Sequence, residues 1–285
     1  MPIPSTLTVL GSLNVDLTCR VHRLPSPGET IGGGNLSRQA GGKGGNQAAA
    51  AARLAGAARM VGAVGADPDG RLLTEALDRA GVDISAVGQV SSPTGTALIV
   101  IDSDGENQIA VAPGANAVVS LERADFSDGV PVLAQLEIAV DTVLEAARRT
   151  TGFFALNAAP AQALPAELLE RCDLVIVNES EYELIPELRN AKRVAVTYGA
   201  GGASMYAQGI KIAHAPATKT SVVNSVGAGD AFCAALVLAL VSGLDEESSL
   251  AAACAVGAAA VASELSQPEF ERLEHYVGRR SVRSA

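Results

Sequence analysis

The chain has 285 residues, 48% of them apolar, enough to bury the core of one large α/β unit. A formal net charge of −10 and the lack of any basic block exclude electrostatic binding to DNA, RNA or an anionic membrane. Four cysteines without a CxxC pair, no N-terminal signal pattern, and no apolar run long enough to span a bilayer lead to an expected cytoplasmic residence with reduced thiols.

In chain order, the apolar run Leu7–Gly11 reads as a buried strand, followed by turn formers from Leu24 to Gly34. An Ala-rich helix follows Gly45 and stops at Gly56, then a strand covers Arg59–Val64. Asp67-Pro68-Asp69-Gly70 starts a helix that runs to about Ala80. Two β-rich segments, Ala97–Ile101 and Gln108–Val111, flank an Asp-Gly turn and predict a hairpin. From Pro131 onward strands and helices alternate: Val132–Leu136, Val140–Arg149, Gly152–Leu156, Ala166–Cys172, Leu174–Val177 and Val194–Thr197. Long apolar helices over Ala228–Ser242 and Leu250–Ala262 close the chain. Such alternation predicts an α/β fold with a mainly parallel central sheet and helices on both faces. A small β-rich appendage accompanies it, and no interdomain linker is visible, so residues 1–285 form a single domain.

Three runs carry the chemistry. Asn224-Ser225-Val226-Gly227-Ala228-Gly229-Asp230 puts a carboxylate in the first turn of a helix whose N-terminal N–H groups can hold an anion. There Asp230 is placed to take a proton from an attacking hydroxyl; the same residues also suit an ordinary N-capped helix. Gly41-Gly42-Lys43-Gly44-Gly45-Asn46-Gln47 is not a Walker A loop, since Gly44 stands where Ser or Thr belongs. It offers adjacent N–H donors, a lysine and an amide, although a turn before a helix would look similar. In Gly11-Ser12-Leu13-Asn14-Val15-Asp16, period-2 alternation puts Asn14 and Asp16 on one side beyond a strand's C-terminal end. An amide beside a carboxylate there can hold vicinal hydroxyls, or simply form Asx turns. Weaker polar clusters follow other strands: Gln135-Leu136-Glu137, Asn178-Glu179-Ser180-Glu181 and Thr197–Gly202. A phosphate cradle beside a base is equipment for moving a phosphoryl group onto a hydroxyl.

On these motifs, from Gly11 to about Ala262, the chain resembles the ribokinase-like (PfkB) family of sugar kinases. The resemblance implies ATP-dependent phosphorylation of a sugar hydroxyl, with D-ribose at its 5-hydroxyl the best-fitting acceptor. It implies sugar binding by Asn14, Asp16, Gly42, Lys43, Asn46 and Glu137. It makes Asp230 the base and the Gly227-Ala228-Gly229 turn the anion hole. Asn178, Thr197, Gly199, Gly202, Gly229 and Cys254 would line the ATP site, with Glu181 supporting Mg²⁺ through water. The appendage, about residues 17–40 and 95–116, resembles the family's lid, which closes over the sugar and implies a homodimer.

Three departures from the pattern stand out. Asn224 occupies the place of an aspartate at a monovalent-cation site, and the segment Ser263–Pro268 lacks the Gly-Ala that completes it, so weak or absent K⁺ activation is expected. The stretch between Glu181 and Val194 is short, as if a helix were missing. The alternatives are a kinase for fructose, a sugar phosphate or a nucleoside, with Arg20, Arg23 and Arg38 as candidate phosphate contacts, or a non-catalytic sensor.

Overall fold

Short apolar runs that are buried on both faces become the strands of one parallel sheet, because only helices on each side can cover them. The computed structural model describes residues 6–277. Its elements are β1 (Leu7–Leu10), β2 (Asn14–Arg20), β3 (Asn35–Gly41), α1 (Lys43–Ala55), β4 (Ala58–Gly65), α2 (Pro68–Arg79) and β5 (Val82–Val90). Then come β6 (Gly95–Ile101), β7 (Asn107–Ala112), β8 (Val132–Gln135), α3 (Val140–Arg149), β9 (Phe154–Asn157), α4 (Ala166–Arg171) and β10 (Leu174–Asn178). The rest comprises α5 (Glu179–Leu184), β11 (Val194–Thr197), β12 (Ala203–Ala207), β13 (Ile210–Ala215), α6 (Ala228–Val241) and α7 (Glu246–Val261), with a last turn at Glu274–Val277.

The large sheet has the order β13-β12-β11-β10-β9-β8-β1-β4-β5. It is parallel from β5 to β11, and β12 and β13 add antiparallel at one edge. Alternate residues of one strand enter opposite cores. Leu174 and Ile176 pack with α1, α2, α6 and α7, whereas Val175 and Val177 pack with α3 and α4. No helix among the described residues is long and apolar enough to cross a membrane.

A second sheet, β3-β2-β6-β7, is the β-rich appendage. Its strands leave the main sheet at Gly11–Leu13 and at Pro93–Thr94, so both crossings sit beside the C-terminal ends of the parallel strands. The expected hairpin is present: Gly105 takes φ +87° in the turn, and the Asp102 carboxylate accepts from the Asp104 and Glu106 N–H groups. The small sheet also takes in Asn14–Asp16 and ends in regular structure at Ala112.

Several bounds differ from the sequence expectation for local reasons. Helix α1 begins at Lys43, so Gly44 and Gly45 lie inside it. Helix α7 begins four residues before Leu250, because Asp245 caps it by accepting from the Ser248 N–H. The short stretch between Glu181 and Val194 holds the end of α5 and a 3-10 turn at Pro186–Asn190. Strands β5, β12 and β13 were not expected. The last two form a hairpin about Gln208-Gly209, both at positive φ (49° and 76°), the backbone that a two-residue turn demands.

Candidate active site

The polar residues converge where β1, β8 and β9 end and where α1 and α6 begin. Gly41 lies against the Asp16 carboxylate so closely that a Cβ there would stand 2.1 Å from Asp16 Oδ2. Gly42 turns the chain into α1 at φ +82°, a conformation that favours glycine. The Ser12 hydroxyl donates to Glu137 Oε2 (2.5 Å), and the Lys43 backbone N–H donates to the same oxygen (3.2 Å). Gln135 braces this pair, donating from Nε2 to Ser12 Oγ (3.1 Å) and accepting on Oε1 from the Glu137 N–H (2.6 Å). Asn14 is held by the buried Asn116, whose Nδ2 donates to Asn14 Oδ1 at 2.8 Å. The same Asn116 accepts from the Leu13 N–H (2.8 Å) and donates to the Leu13 carbonyl (3.1 Å).

Asp230 lies in the first turn of α6, after Gly227 at φ +79°. Its carboxylate is buried and holds two amide donors: Asn46 Nδ2 to Oδ2 (3.0 Å) and Gln47 Nε2 to Oδ1 (3.2 Å). Asn46 is itself fixed from behind, its Oδ1 accepting from Gln267 Nε2 at 3.2 Å. The Ala231 N–H bonds to the Gly227 carbonyl (2.9 Å), while the Gly229 and Asp230 N–H groups find no acceptor among the described residues. Two free amides at the positive end of a 14-residue helix are donors of the kind that can hold an anion, and they lie beside the carboxylate.

Burial drives the electrostatics. It pushes Asp230 up to about 6, against the Lys43 charge and the Asn46 and Gln47 hydrogen bonds, while Glu137 adds to the rise. Burial, then Glu137 and Asp230, push Asp16 up to about 7. Burial alone would favour neutral Lys43, but Asp230 and Glu137 outweigh it and shift its pKa upward. Lys43 is thus held as a cation by the Asp230 and Glu137 carboxyl groups.

Two cavities flank the segment 223–227. The first, about 400 Å³, lies on the face of the small sheet that carries Asp16, Thr18, Arg20, Ser37, Gln39 and Ile99; Asn224, Val226 and Ser266 face it. The second, about 220 Å³, is lined by Lys43, Asn157, Asn178, Glu181, Thr197, Ser225, Gly227, Gly229 and Asp230. Asn224 and Val226 turn to one cavity, Ser225 and Gly227 to the other, so this turn is the partition between them.

The structure therefore brings together Asn14, Asp16, Gly42, Lys43, Asn46, Glu137 and Asp230, and it sets Asn178, Thr197, Glu181, Gly227 and Gly229 around the second cavity. Lys43, expected with the sugar ligands, lines the second cavity with Asp230. Asn178 caps α5 and pairs reciprocally with Glu181, whose Oε2 accepts from the Asn178 N–H at 2.8 Å. Of the expected site residues, Asn14, Gly42, Asn46, Glu137, Ala228, Gly199, Gly202 and Cys254 line neither cavity; Cys254 is a buried thiol of α7 that burial pushes up to about 11. Both ends of the Asn224 amide are spent locally, Oδ1 on the Val226 N–H (3.1 Å) and Nδ2 on the Glu264 carbonyl (3.0 Å). Among the described residues no cluster of His, Cys, Asp and Glu could itself hold a metal ion. Sequence reasoning assigned no role to Gln47, Gln135, Asn116, Asn157 or Gln267. Asn157, at the polar end of a buried strand, carried a usable signal; Asn116 and Gln267, in irregular segments, carried none.

The chain matches the pfkB family carbohydrate kinase model over residues 5–272. It is 33% identical to the ribokinase of Haemophilus influenzae, covering 90% of this chain and 91% of that protein. The Arabidopsis thaliana ribokinase is 34% identical over 90% of this chain and 76% of its own length. Among solved structures, a ribokinase from Thermotoga maritima superposes with a TM-score of 0.86 at 31% identity, covering 95% of this chain and 99% of that one. The Arabidopsis thaliana ribokinase complexed with ribose and ATP gives the same score and identity over 97% and 98%. With fold, family pattern and relatives in agreement over nearly the whole chain, the protein belongs to the pfkB family of carbohydrate kinases.

Proposed function

We propose that the protein is an ATP-dependent ribokinase that phosphorylates D-ribose at its 5-hydroxyl. The observation that carries this reading is Asp230, a buried carboxylate that lines the second cavity, held by two amides beside two unpaired helix N–H groups. Ribose would occupy the first cavity, with Asp16 accepting from its hydroxyls; Asn14, two residues earlier on β2 and outside that lining, would offer its unspent Nδ2 donor. The ATP phosphates would occupy the second, between Lys43 and the start of α6. Asn178 and Thr197 would border the nucleotide there, with the Gly199–Gly202 loop beyond. Asp230 takes the proton of the 5-hydroxyl as that oxygen bonds to the γ-phosphorus and the bond to the β-phosphate bridging oxygen breaks, leaving ADP. The charge that develops on the transferring group meets the Gly229 and Asp230 N–H groups and the Lys43 ammonium.

Mg²⁺ would arrive with ATP and neutralise phosphate charge. Glu181 fits its support: it lines the second cavity with one carboxylate oxygen spent on the α5 cap and the other open to a metal-bound water. The small sheet acts as the lid of the first cavity and as the contact of a homodimer. Ile109 and Val111 of β7, exposed, continue the face that carries Asp16 and Ile99, so a partner seated there would also cover the sugar.

The test is ADP release with Mg·ATP against D-ribose, D-fructose, fructose phosphates and nucleosides. Ribose should be turned over in preference to the others, and Asp230→Asn should lower kcat by about 10²–10⁴ while ATP affinity stays within a few-fold. Retained turnover in that variant removes Asp230 from the base role; preference for another acceptor overturns ribose.

A further inference from the structure

Gln47 follows Asn46 on α1, is fully buried, and spends both amide hydrogens, on Asp230 Oδ1 (3.2 Å) and on Asn157 Oδ1 (3.1 Å). Its own Oε1 is buried with no partner among the described residues. A stranded buried acceptor costs stability, and Gln47 is followed along α1 by the buried Ala48–Ala52, where an apolar side chain of the same length would pack without that loss. One of its donors ties α1 to Asn157 at the end of β9, and the other is spent on the Asp230 carboxylate.

We infer that Gln47 is a positioning residue for the phosphoryl transfer: it fixes the rotation of the Asp230 carboxylate and keeps it ionised at neutral pH. This rests on the reading of Asp230 as the base. Asn46 and Gln47 approach different oxygens of one carboxylate, so together they set its plane, which either alone would leave free to turn. Asn157 holds the Gln47 amide from the other side and is anchored in turn by its Nδ2 on the Ile176 carbonyl (3.1 Å). The charged and titratable groups facing Asp230 are Lys43 from α1, Glu137 after β8, Asp16 from β2 and the Cys233 thiol of α6. Of these only Lys43 favours the ionised base, against Glu137 and Asp16, so the two amide donors supply the remaining support.

A donor to a carboxylate stabilises its charged form; removing it raises the pKa, so the fraction of ionised base falls at any pH below the new value. The experiment is the pH profile of kcat for the full chain with Mg·ATP and saturating ribose. Gln47→Met, of equal length and without donors, should move the acid limb upward by about one pH unit. That lowers kcat about tenfold within the limb and much less on the alkaline plateau, with KM for ribose and ATP within about threefold. Gln47→Glu, which sets a second carboxyl against Asp230, should move the limb further. A kcat lowered evenly at every pH, or an unmoved limb in both variants, overturns the proposal. If neither variant folds, the wild-type protein labelled on its glutamine side-chain amides decides: the Gln47 resonance should titrate with Asp230, and a flat resonance overturns the inference. Wild-type protein without ribose turnover, or an active Asp230→Asn variant, would instead sink the reading of the site, so the two failures are distinguishable.

Discussion

Asn116→Ala separates a designed binding site from a chance collection of polar groups. Asn116 is 1% exposed and makes three hydrogen bonds, at 2.8, 3.1 and 2.8 Å, to the Leu13 N–H, the Leu13 carbonyl and Asn14 Oδ1. Truncation removes all three and strands the partners where water has little access. At about 1 kcal/mol net for each, the loss is about 3 kcal/mol, a large share of the about 5–15 kcal/mol that holds a typical domain. Urea unfolding at constant m would read it as a lowered midpoint. The functional half is separate. Freed from Asn116, the Asn14 amide can rotate and no longer presents Nδ2 in a fixed place, so KM for ribose should rise about tenfold, as for one lost oriented hydrogen bond, while KM for ATP holds. Asn116→Asp sharpens the test: it keeps an acceptor for the Leu13 N–H but turns an acceptor toward Asn14, forcing that amide to flip. Stability within about 0.5 kcal/mol of wild type together with an unchanged ribose KM would refute the reasoning.

Because both ends of the Asn224 amide are committed, one to the Val226 N–H and the other to the Glu264 carbonyl beyond α7, replacing Na⁺ by K⁺ should leave kcat and KM unchanged; a large K⁺ stimulation would show that an ion displaces those bonds. If the small sheet forms the proposed dimer contact, Ile109→Lys, on the exposed face of β7, should weaken that dimer in sedimentation velocity and raise KM for ribose; a monomeric wild-type protein at micromolar concentration would sink the lid contact. Asp16 at about 7 and Asp230 at about 6 both stand above their ordinary 3.8, so the folded ligand-free state binds more protons than the unfolded chain between those values. Its stability should therefore fall as pH rises from about 4 to 7, and a thermal midpoint that climbs over this range would contradict the burial of the pair.

The fold was legible wherever one element announced itself without help from others. Buried strands such as Leu174–Val177 are continuous apolar runs, and α2 declares its start through Asp67 and Pro68. The hairpin of β12 and β13 was missed because its turn, Gln208-Gly209, lacks the Asn or Asp that usually marks positive φ. Strand β5 was missed because Gly88 and Gln89 interrupt its apolar pattern, and only pairing with β4 supplies the order that the local sequence lacks. Helix α7 was trimmed because its first turn, Glu246 to Ser249, looks polar; the Asp245 cap and the helix dipole make that polarity favourable.

The site was legible as residue types and illegible as partnerships. Asp230, Lys43 and Asn46 stand in glycine-marked runs because backbone must approach ligand or carboxylate closely there, and glycine leaves a trace in any sequence. Asn116, Gln135 and Gln267 work through side-chain bonds across 103, 123 and 221 positions of chain, and an amide in a loop carries no mark of the distant atom it serves. These unmarked amides set which way the marked groups point. Asn14 has a defined donor only because Asn116 holds its oxygen, and Asp230 faces its two amides only because Gln267 and Asn157 hold those amides in turn. The amides do not serve the three carboxyl groups alike: Asn46 and Gln47 both donate to Asp230 and oppose the rise that burial imposes on it, whereas burial and the neighbouring charges of Glu137 and Asp230 push Asp16 higher, to about 7.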